Sequence, residues 1–441
     1  MRPWLAAALV TGASFACAAG CDAILGIDAF PDLDASAPAD GTTGVDAAGE
    51  GAPSDQGAGD GTLPDGTGDA GDAGDAGDAG DARPGDTGAG DAADGGVLAD
   101  AGDARADAPD AATGCVGGAA VCAPSCFETS DAGFDAQAPA DGLTTCGGPV
   151  RESCCTSLAI DGGSFLRSYD GVRNLDAGSP AKVSSFALDK YEVSVGRFRN
   201  FVLAWVGGWR PDPGAGIHTQ VQAGLGVIDS SGTGAHESGW RSAWNTWLPT
   251  DLATWNVQLA CEAATYASWT DTPDVNEQLA INCVNWFMAY GFCIWDGGFL
   301  PTEAEWDYAA AGGGGADGQR LYAWSSPPTS PTINCLYANF SGCGGQPVGV
   351  DREPMGAGKW GQEQLTANVW EWTLDFYAGY AVPCTDCAYL VNPDTDGGST
   401  RVVRGGSYLE TTDELDVGNR SGNPDDTRYA RAGFRCARAA P

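Results

Sequence analysis

A long tract of Asp, Ala and Gly limits how much of this 441-residue chain can fold. The tract runs from Cys21 to Thr113 and contains repeats such as GDAGDAGDAGDA, with very few large apolar side chains. Too little apolar surface can be buried there to offset the conformational entropy of an ordered backbone. We therefore predict a disordered acidic tether over 21–113, which its like charges keep extended, and one globular domain near the C-terminus.

The charge of the chain excludes two classes of partner. Between Asp22 and Thr113 there are 22 acidic residues against Arg83 and Arg105, a net of −20 out of the −37 of the whole chain. No part of the sequence carries the basic stripe that neutralises phosphates, which argues against nucleic-acid binding. An anionic lipid surface also repels such a protein, so a covalent lipid anchor is the predicted route to a membrane.

The N-terminus has the pattern of an export signal. One arginine, a short apolar stretch and small residues precede Cys21, and the stretch is too short for a membrane span. The tetrad Ala18-Ala19-Gly20-Cys21 resembles a bacterial lipobox. We therefore predict a signal peptide over 1–20, lipidation of Cys21 and a place in the bacterial cell envelope, at the outer membrane or in the periplasm. Cys17 is the rival lipidation site, and plain secretory cleavage is the alternative to both.

The cysteine count fits an oxidising compartment. Loss of Cys17 with the signal and lipidation of Cys21 leave 14 of the 16 cysteines, an even number that suits disulfides. Residues 114–156 form a Cys-rich neck with little apolar mass, so disulfides are expected to stabilise it. A zinc site is the alternative, but the spacing matches no usual ligand pattern. The neck cysteines are Cys115, Cys122, Cys126, Cys146, Cys154 and Cys155.

One strand and three helices are predicted after the neck. Residues 185–193 mix β-branched and aromatic side chains as a strand does, and Ser194 stands where a helix N-cap belongs. Asn285 is placed to cap a second helix, and Thr302 with Glu305 forms a capping box for a third. Beyond these helices we expect short strands and long loops in an irregular α+β domain. The buried stripe predicted for the first helix is Phe198, Phe201, Val202 and Trp205.

Six motifs occur in one order: SLAIDGGSF, LDKYEVSVGRFRNFV, INCVNWFMAYGFCIWDGGFLPTEAEWDYAAAGG, ANVWEWT, RVVRGGSY and AGFRCAR. On these motifs, the 157–441 domain resembles the formylglycine-generating enzyme family, also called the sulfatase-modifying factor family. The resemblance implies an irregular C-type-lectin-like α+β fold with few regular elements, stabilised by disulfides. It also implies a copper-dependent oxidase that converts a cysteine of a sulfatase to formylglycine. In that family two cysteines after the RGGS turn hold the copper.

Both copper-ligand positions are changed in this chain, because they fall on Glu410 and Leu415. Cu(I) prefers thiolates, and neither a carboxylate nor an isobutyl group replaces them. We therefore predict no catalytic residue, no copper and no formylglycine-generating activity. Iron-dependent members of the family bind their metal through histidines. This chain has only His218 and His236, which are predicted to be ordinary surface residues, so iron is not expected.

The resemblance also implies particular disulfides. It pairs Cys293 with Cys436, which joins the central helix to the C-terminus. A redox dithiol is the alternative to a structural disulfide in the CTDC segment. The candidate local pairs are Cys261 with Cys283, Cys335 with Cys343, and Cys384 with Cys387.

Structural calcium is a further implication of the resemblance. Calcium prefers carboxylate and carbonyl oxygens, and a second, less complete set would use Asn339 and the Phe340 carbonyl. The alternative for Glu371 is a buried, hydrogen-bonded acid between two tryptophans. The oxygens of the first set belong to the side chains of Gln364 and Glu371 and to the carbonyls of Ala367 and Val369.

Two classes of function follow from these features. In the first, a monomeric, lipid-anchored and non-catalytic domain binds a peptide or a glycan, since aromatic rings beside polar groups suit both ligands. In the second, the domain is an oxidoreductase of this family, of the formylglycine-generating or non-haem iron kind, and acts on a protein or small-molecule thiol through an altered site. The predicted substrate groove consists of Trp370, Ser407, Tyr408 and Glu410.

Overall fold

The α-helices of the described residues lie between residues 195 and 311. The computed structural model describes residues 124–126, 145–146, 152–261, 265–314, 318–395 and 398–440. The predicted signal peptide, Cys21, the tether, Cys115 and Cys122 lie outside these ranges. No helix of the described ranges is long and apolar enough to cross a membrane. The α-helices are α1 (Val195–Val206), α2 (Leu252–Leu259), α3 (Trp286–Trp295) and α4 (Glu303–Ala311).

Short strands and single turns of 3-10 helix make up the remaining regular structure. The strands are β1 (Thr145–Cys146), β2 (Glu152–Ser153), β3 (Ser157–Ile160), β4 (Gly163–Leu166), β5 (Pro180–Val183), β6 (Phe186–Asp189), β7 (Ile228–Asp229), β8 (Trp370–Phe376), β9 (Cys387–Ala388), β10 (Thr400–Arg404), β11 (Arg420–Pro424), β12 (Ala432–Gly433) and β13 (Ala437–Ala439). The 3-10 helices are Pro124–Cys126, Gln222–Gly224, Ser242–Trp247, Val275–Gln278, Pro354–Gly356 and Thr412–Glu414.

The largest sheet places its strands in the order β11-β10-β8-β12. Strand β10 runs antiparallel to both β8 and β11, whereas β12 runs parallel to β8. Arg404 lies opposite Glu371 at one end of the β8–β10 pair, and Arg401 lies opposite Phe376 at the other end. A smaller sheet, β13-β6-β3, pairs the C-terminal strand with β6. The two ends of the β8–β10 pair hold the two candidate sites described below.

Local side-chain chemistry starts each predicted helix. Ser194 caps α1 by accepting a hydrogen bond from the Arg197 amide, and Asn285 caps α3 in the same way. Thr302 and Glu305 form the predicted capping box of α4. These predicted helix starts are therefore confirmed. Helix α2, capped by Asp251, was not predicted.

The main core forms where α1 and α3 pack together beside the large sheet. The four residues of the predicted α1 stripe are all fully buried, and Phe198 stacks on Phe292 of α3 with ring centroids 5.8 Å apart. A disulfide joins Cys293 of α3 to Cys436 before β13, as the resemblance implies. The other disulfides of the described residues are Cys126–Cys155, Cys146–Cys154, Cys261–Cys283, Cys335–Cys343 and Cys384–Cys387.

Buried charges fix the neck to the domain. Arg197 donates to Asp189 at 3.1 Å, to Asp296 at 2.6 Å and to the Ser125 hydroxyl at 3.0 Å. The Ser125 amide in turn donates to Asp296 at 3.0 Å. All of these side chains are buried, so removing one partner would leave an uncompensated charge in the interior. These contacts add to the disulfides that were expected to stabilise the neck.

Candidate functional site

One end of the β8–β10 pair carries the positions that hold copper in the resembled family. A glycine turn follows β10, and a side chain at Gly406 would clash, since its Cβ would lie 2.4 Å from Leu415. Beyond the turn, the Ser407 hydroxyl donates to one carboxylate oxygen of Glu410. The other oxygen accepts from Arg431 Nη1 at 3.2 Å. The carboxylate at the first copper position is thus neutralised by an arginine of the same chain.

The second copper position is part of an apolar cluster. Leu415 is buried and packs with Leu321, Tyr322 and Ala367. A side chain in such surroundings gains stability from leaving water and offers no metal ligand. Within the described ranges, no group of three or more His, Cys, Asp or Glu side chains is arranged to hold a metal ion.

The four residues of the predicted groove lie together in this region, but they are buried. Trp370 is 5% exposed, Ser407 and Tyr408 are 0% exposed and Glu410 is 7% exposed. The Tyr408 hydroxyl donates to the Ala430 carbonyl at 3.2 Å. Little of this surface is therefore open to a ligand, and its binding role stays a prediction. We name Trp370, Ser407, Tyr408, Glu410 and Arg431 together the closed end.

Glu371, the acidic residue of the expected calcium set, is saturated by hydrogen bonds. Its Oε1 accepts from Nε and Nη2 of Arg435 at 2.9 and 2.7 Å. Its Oε2 accepts from the same Nε at 2.7 Å and from the Trp306 indole at 2.8 Å. A carboxylate has about four lone-pair sites, so none is left for a calcium ion. This geometry fits the alternative interpretation, a buried acid held by hydrogen bonds.

Two of the other expected calcium ligands, Gln364 and the Phe340 carbonyl, also form hydrogen bonds. The Gln364 amide donates to the Gly349 carbonyl at 3.1 Å and to Glu353, and its oxygen accepts from Asn368 at 3.2 Å. In the second set, the Phe340 carbonyl accepts from the Cys343 amide at 2.7 Å. Asn339 Oδ1 is buried without a hydrogen-bond partner. Calcium takes six to eight oxygens, so one unpartnered amide oxygen does not make a site, and these residues as arranged do not fit the ion.

His218 is fully buried, so the prediction that it lies at the surface was wrong. Its Nδ1 lies 2.9 Å from Glu237 and its Nε2 lies 3.1 Å from Glu305. Burial lowers the pKa of His218, but the charges of the two glutamates outweigh burial and raise that pKa to about 10. The imidazolium form has no lone pair for iron. His236 is half-buried, with Nδ1 3.1 Å from the Gly226 carbonyl.

The other end of the β8–β10 pair opens into a cleft of about 400 Å³. Aromatic rings form its walls, contributed by Trp244, Trp286, Tyr290 and Phe376, and Arg401 lies among them. We name it the Arg401 cleft. The sequence carries no motif for it, because its lining comes from segments more than 150 residues apart, from Asp229 to Arg401.

Comparison with known proteins finds one matching family model and several similar sequences. Residues 146–440 match the model of the sulfatase-modifying factor enzyme 1-like domain. The formylglycine-generating enzyme of Mus musculus is 27% identical over 319 residues, which cover 69% of this chain and 80% of that protein. The inactive C-alpha-formylglycine-generating enzyme 2 of Bos taurus is 29% identical over 309 residues, covering 64% of this chain and 88% of that protein.

A second group of relatives and one solved structure extend the comparison. Hercynine oxygenase of Mycobacterium tuberculosis is 33% identical over 167 residues, which cover 37% of this chain and 38% of that protein. The structure of Treponema denticola variable protein 1 covers 65% of this chain and 95% of that chain at 17% identity, with a TM-score of 0.39. The irregular α+β architecture described above, with few regular elements and several disulfides, agrees with the fold class that the resemblance implied.

Proposed function

Since the chain belongs to the sulfatase-modifying factor family, we propose that it is a non-catalytic member that binds a peptide or a glycan as a monomer. The closed end carries the non-catalytic part of the proposal. At the two copper positions stand Glu410, in an ion pair with Arg431, and Leu415, in an apolar cluster. The bovine relative named as inactive supports the proposal, because it places inactive proteins in the same family.

A peptide conversion assay tests the proposal. The purified protein is incubated with copper, oxygen and a CxPxR peptide, and mass spectrometry follows the cysteine, with the mouse enzyme as a positive control. We expect the peptide to stay unchanged, because neither Glu410 nor Leu415 supplies a thiolate. Conversion of the peptide, or one copper or iron per purified chain, would overturn the proposal in favour of the oxidoreductase alternative.

A matched variant tests whether the two copper positions are assigned to the right residues. In the double variant Glu410→Cys/Leu415→Cys, two thiols replace the carboxylate and the isobutyl group. We expect the double variant to bind one Cu(I) per chain, whereas each single variant and the wild type bind none. Equal Cu(I) binding by the wild type and the double variant would show that the assignment is wrong.

We also propose that the protein is exported and anchored to the bacterial envelope through a lipid on Cys21. The lipobox-like tetrad supports this site, as does the even number of cysteines left for disulfides. Radiolabelled palmitate should enter the wild type and Cys17→Ser, but not Cys21→Ser. Label in Cys21→Ser would move the site to Cys17, and an unlabelled wild type would end the lipoprotein proposal.

A further inference from the structure

Arg401 is a buried cation to which the described part of the chain supplies no ion pair. Its side chain is 5% exposed, and no described carboxylate oxygen lies within 4.0 Å of its nitrogens. Nη1 donates to the Leu374 carbonyl at 2.6 Å, whereas Nε is buried without a hydrogen-bond partner. A buried charge and a buried unpaired N–H both cost free energy. The fold therefore holds a cation at the cleft without neutralising it.

The acidic side chains around Arg401 form hydrogen bonds with other groups. Asp375 accepts from the backbone amides of two other residues, each at 2.7 Å, and Asp425 accepts from a serine hydroxyl. Asp229 accepts from a backbone amide at 3.0 Å and from two hydroxyls, and Glu237 holds the buried histidine. Burial lowers the pKa of Arg401 to about 9, although Asp425 and Asp375 oppose that shift. These acids leave the guanidinium charge available to a ligand.

Aromatic rings restrict the direction from which a ligand can approach Arg401. Its guanidinium carbon lies 3.9 Å from the ring centroid of Trp286 and 3.4 Å from that of Phe376. The N–H donors of a guanidinium lie in its plane, so an acceptor must approach from the edge, as the two oxygens of a planar carboxylate do. Trp244 and Tyr290 continue the aromatic wall with centroids 6.2 Å apart. Such walls favour a flat apolar ring.

A second cation lies at the rim of the cleft. Arg241 is exposed, and its guanidinium carbon lies 5.3 Å from the ring centroid of Trp244. Arg401 inside and Arg241 at the rim are the cations that line the cleft. The lining also includes Asp229, which accepts from a backbone amide, and Glu237, which is paired with the buried histidine, so the two guanidinium groups attract an anionic ligand at short range.

We propose that the Arg401 cleft binds a carboxylate carried next to an aromatic ring, either as a free aromatic acid or as the end of a chain with an aromatic last residue. The volume of about 400 Å³ lies in the usual range of small-ligand sites. This site goes beyond the proposed function, because it lies at the opposite end of the β8–β10 pair from Glu410. It would stand whether or not the domain catalyses a reaction.

Binding to the purified protein tests the ligand chemistry. Tryptophan fluorescence and calorimetry follow titration with phenylacetate, with the tripeptide Gly-Gly-Phe and with the neutral amide of each. We expect both acids, or phenylacetate alone, to bind saturably and each amide to bind at least tenfold more weakly. Binding of phenylacetate alone identifies a free acid as the source, and equal binding of the tripeptide identifies a chain end. Equal affinity for an acid and its amide, or no saturable binding of either acid, would overturn the proposal.

Substitutions test whether Arg401 is the residue that binds the carboxylate. We expect Arg401→Gln to weaken binding roughly 10- to 100-fold and Arg401→Lys, which keeps the charge without the planar fork, to have a smaller effect. The matched control is Arg210→Gln. Arg210 also stacks on a tryptophan, Trp205, at 4.0 Å and donates to backbone carbonyls, but it does not line the cleft.

The variants also distinguish a binding defect from misfolding. Circular dichroism and the melting temperature show whether each variant is folded. If Arg401→Gln does not fold, Arg401→Lys and Trp244→Ala carry the test, because both alter the cleft with less effect on the core. Unchanged affinity in the folded Arg401 variants would show that the site is elsewhere.

Discussion

The two ends of the β8–β10 pair differ in whether the chain neutralises its own arginine. At the closed end, Arg431 forms an ion pair with Glu410 at 3.2 Å, where the resembled enzymes carry a copper ligand. At the other end, Arg401 is buried more deeply than Arg431, yet it has no ion pair among the described residues. The first copper position, Glu410, therefore forms a structural ion pair in this chain. At the other end of the strand pair, the guanidinium of Arg401 has no ion pair. If the Arg401 cleft binds a ligand as proposed, a charge without an ion pair is a better guide to a binding site in this chain than the family's motif.

Removal of the disulfide between Cys293 and Cys436 should cause the largest loss in the free energy of unfolding. Cys293–Cys436 closes a loop of 143 residues, and the chain-entropy model assigns about 5 kcal/mol to a loop of that length. We expect Cys293→Ala/Cys436→Ala to lower the free energy of unfolding by about that amount in urea titrations. The control is Cys384→Ala/Cys387→Ala, whose sequence separation is 3 and for which the same model gives about 2 kcal/mol. A smaller loss in the long loop than in the short one would contradict the expectation.

Replacing each of the two arginines by methionine should change the free energy of unfolding by different amounts at the two ends. Arg431→Met leaves the buried Glu410 without its counter-ion, so we expect a loss of about 3 kcal/mol in the free energy of unfolding. Arg401→Met removes a buried cation that has no ion pair to lose, so we expect a change within about 1 kcal/mol. Thermal and urea unfolding of both variants measure the difference. Equal losses would show that the comparison between the ends is wrong.

The pH dependence of stability should report the buried histidine behind the Arg401 cleft. The pKa of His218 is raised to about 10 in the folded state, above its ordinary value of 6.5. The folded state then binds an extra proton between these values, so this stabilisation is full below pH 6.5 and is lost as the pH rises towards 10. We expect a loss on the order of 3 kcal/mol across that window in the wild type. His218→Asn should lack this loss, and an unchanged slope in that variant would refute the assignment.

Calcium removal should have the smallest effect on the stability of the domain. The resemblance implies calcium beside Glu371, but the four hydrogen bonds of that carboxylate leave no room for the ion. We expect EDTA to change the melting temperature by less than about 1 °C, against magnesium-EDTA as the control. A clear fall in the melting temperature that is reversed by added calcium would show that the expected ligands around Glu371 do bind calcium.

What the sequence predicted correctly depends on neighbours along the chain. The caps at Ser194 and Asn285 and the box of Thr302 with Glu305 need only three or four consecutive residues, so their residue types are sufficient. The fold class was implied by the family resemblance that six longer motifs carry in one order. Short-range chemistry of this kind is independent of how distant segments meet.

What the sequence did not show depends on distant segments. His218 contacts Glu305, 87 residues away, and that contact converts an expected surface residue into a buried cation. The Arg401 cleft likewise exists only because the sheet brings Phe376 opposite Arg401, next to a helix that carries Trp286. The groove residues share a region as predicted, but Arg431 and the packing around them close it. Burial and charge balance of this kind are properties of the folded chain.

The attachment of the neck has a mechanical consequence. Tension that arrives along the chain from the N-terminal side reaches Cys126, whose disulfide to Cys155 carries the load across a separation of 29 residues. The covalent path for that load runs through the disulfide rather than along the chain between the two cysteines. The load then enters the domain beside Ser125, Arg197 and Asp296, which share hydrogen bonds. If the chain is anchored through Cys21 as proposed, a pull on that anchor would reach the domain through covalent and ionic bonds near α1.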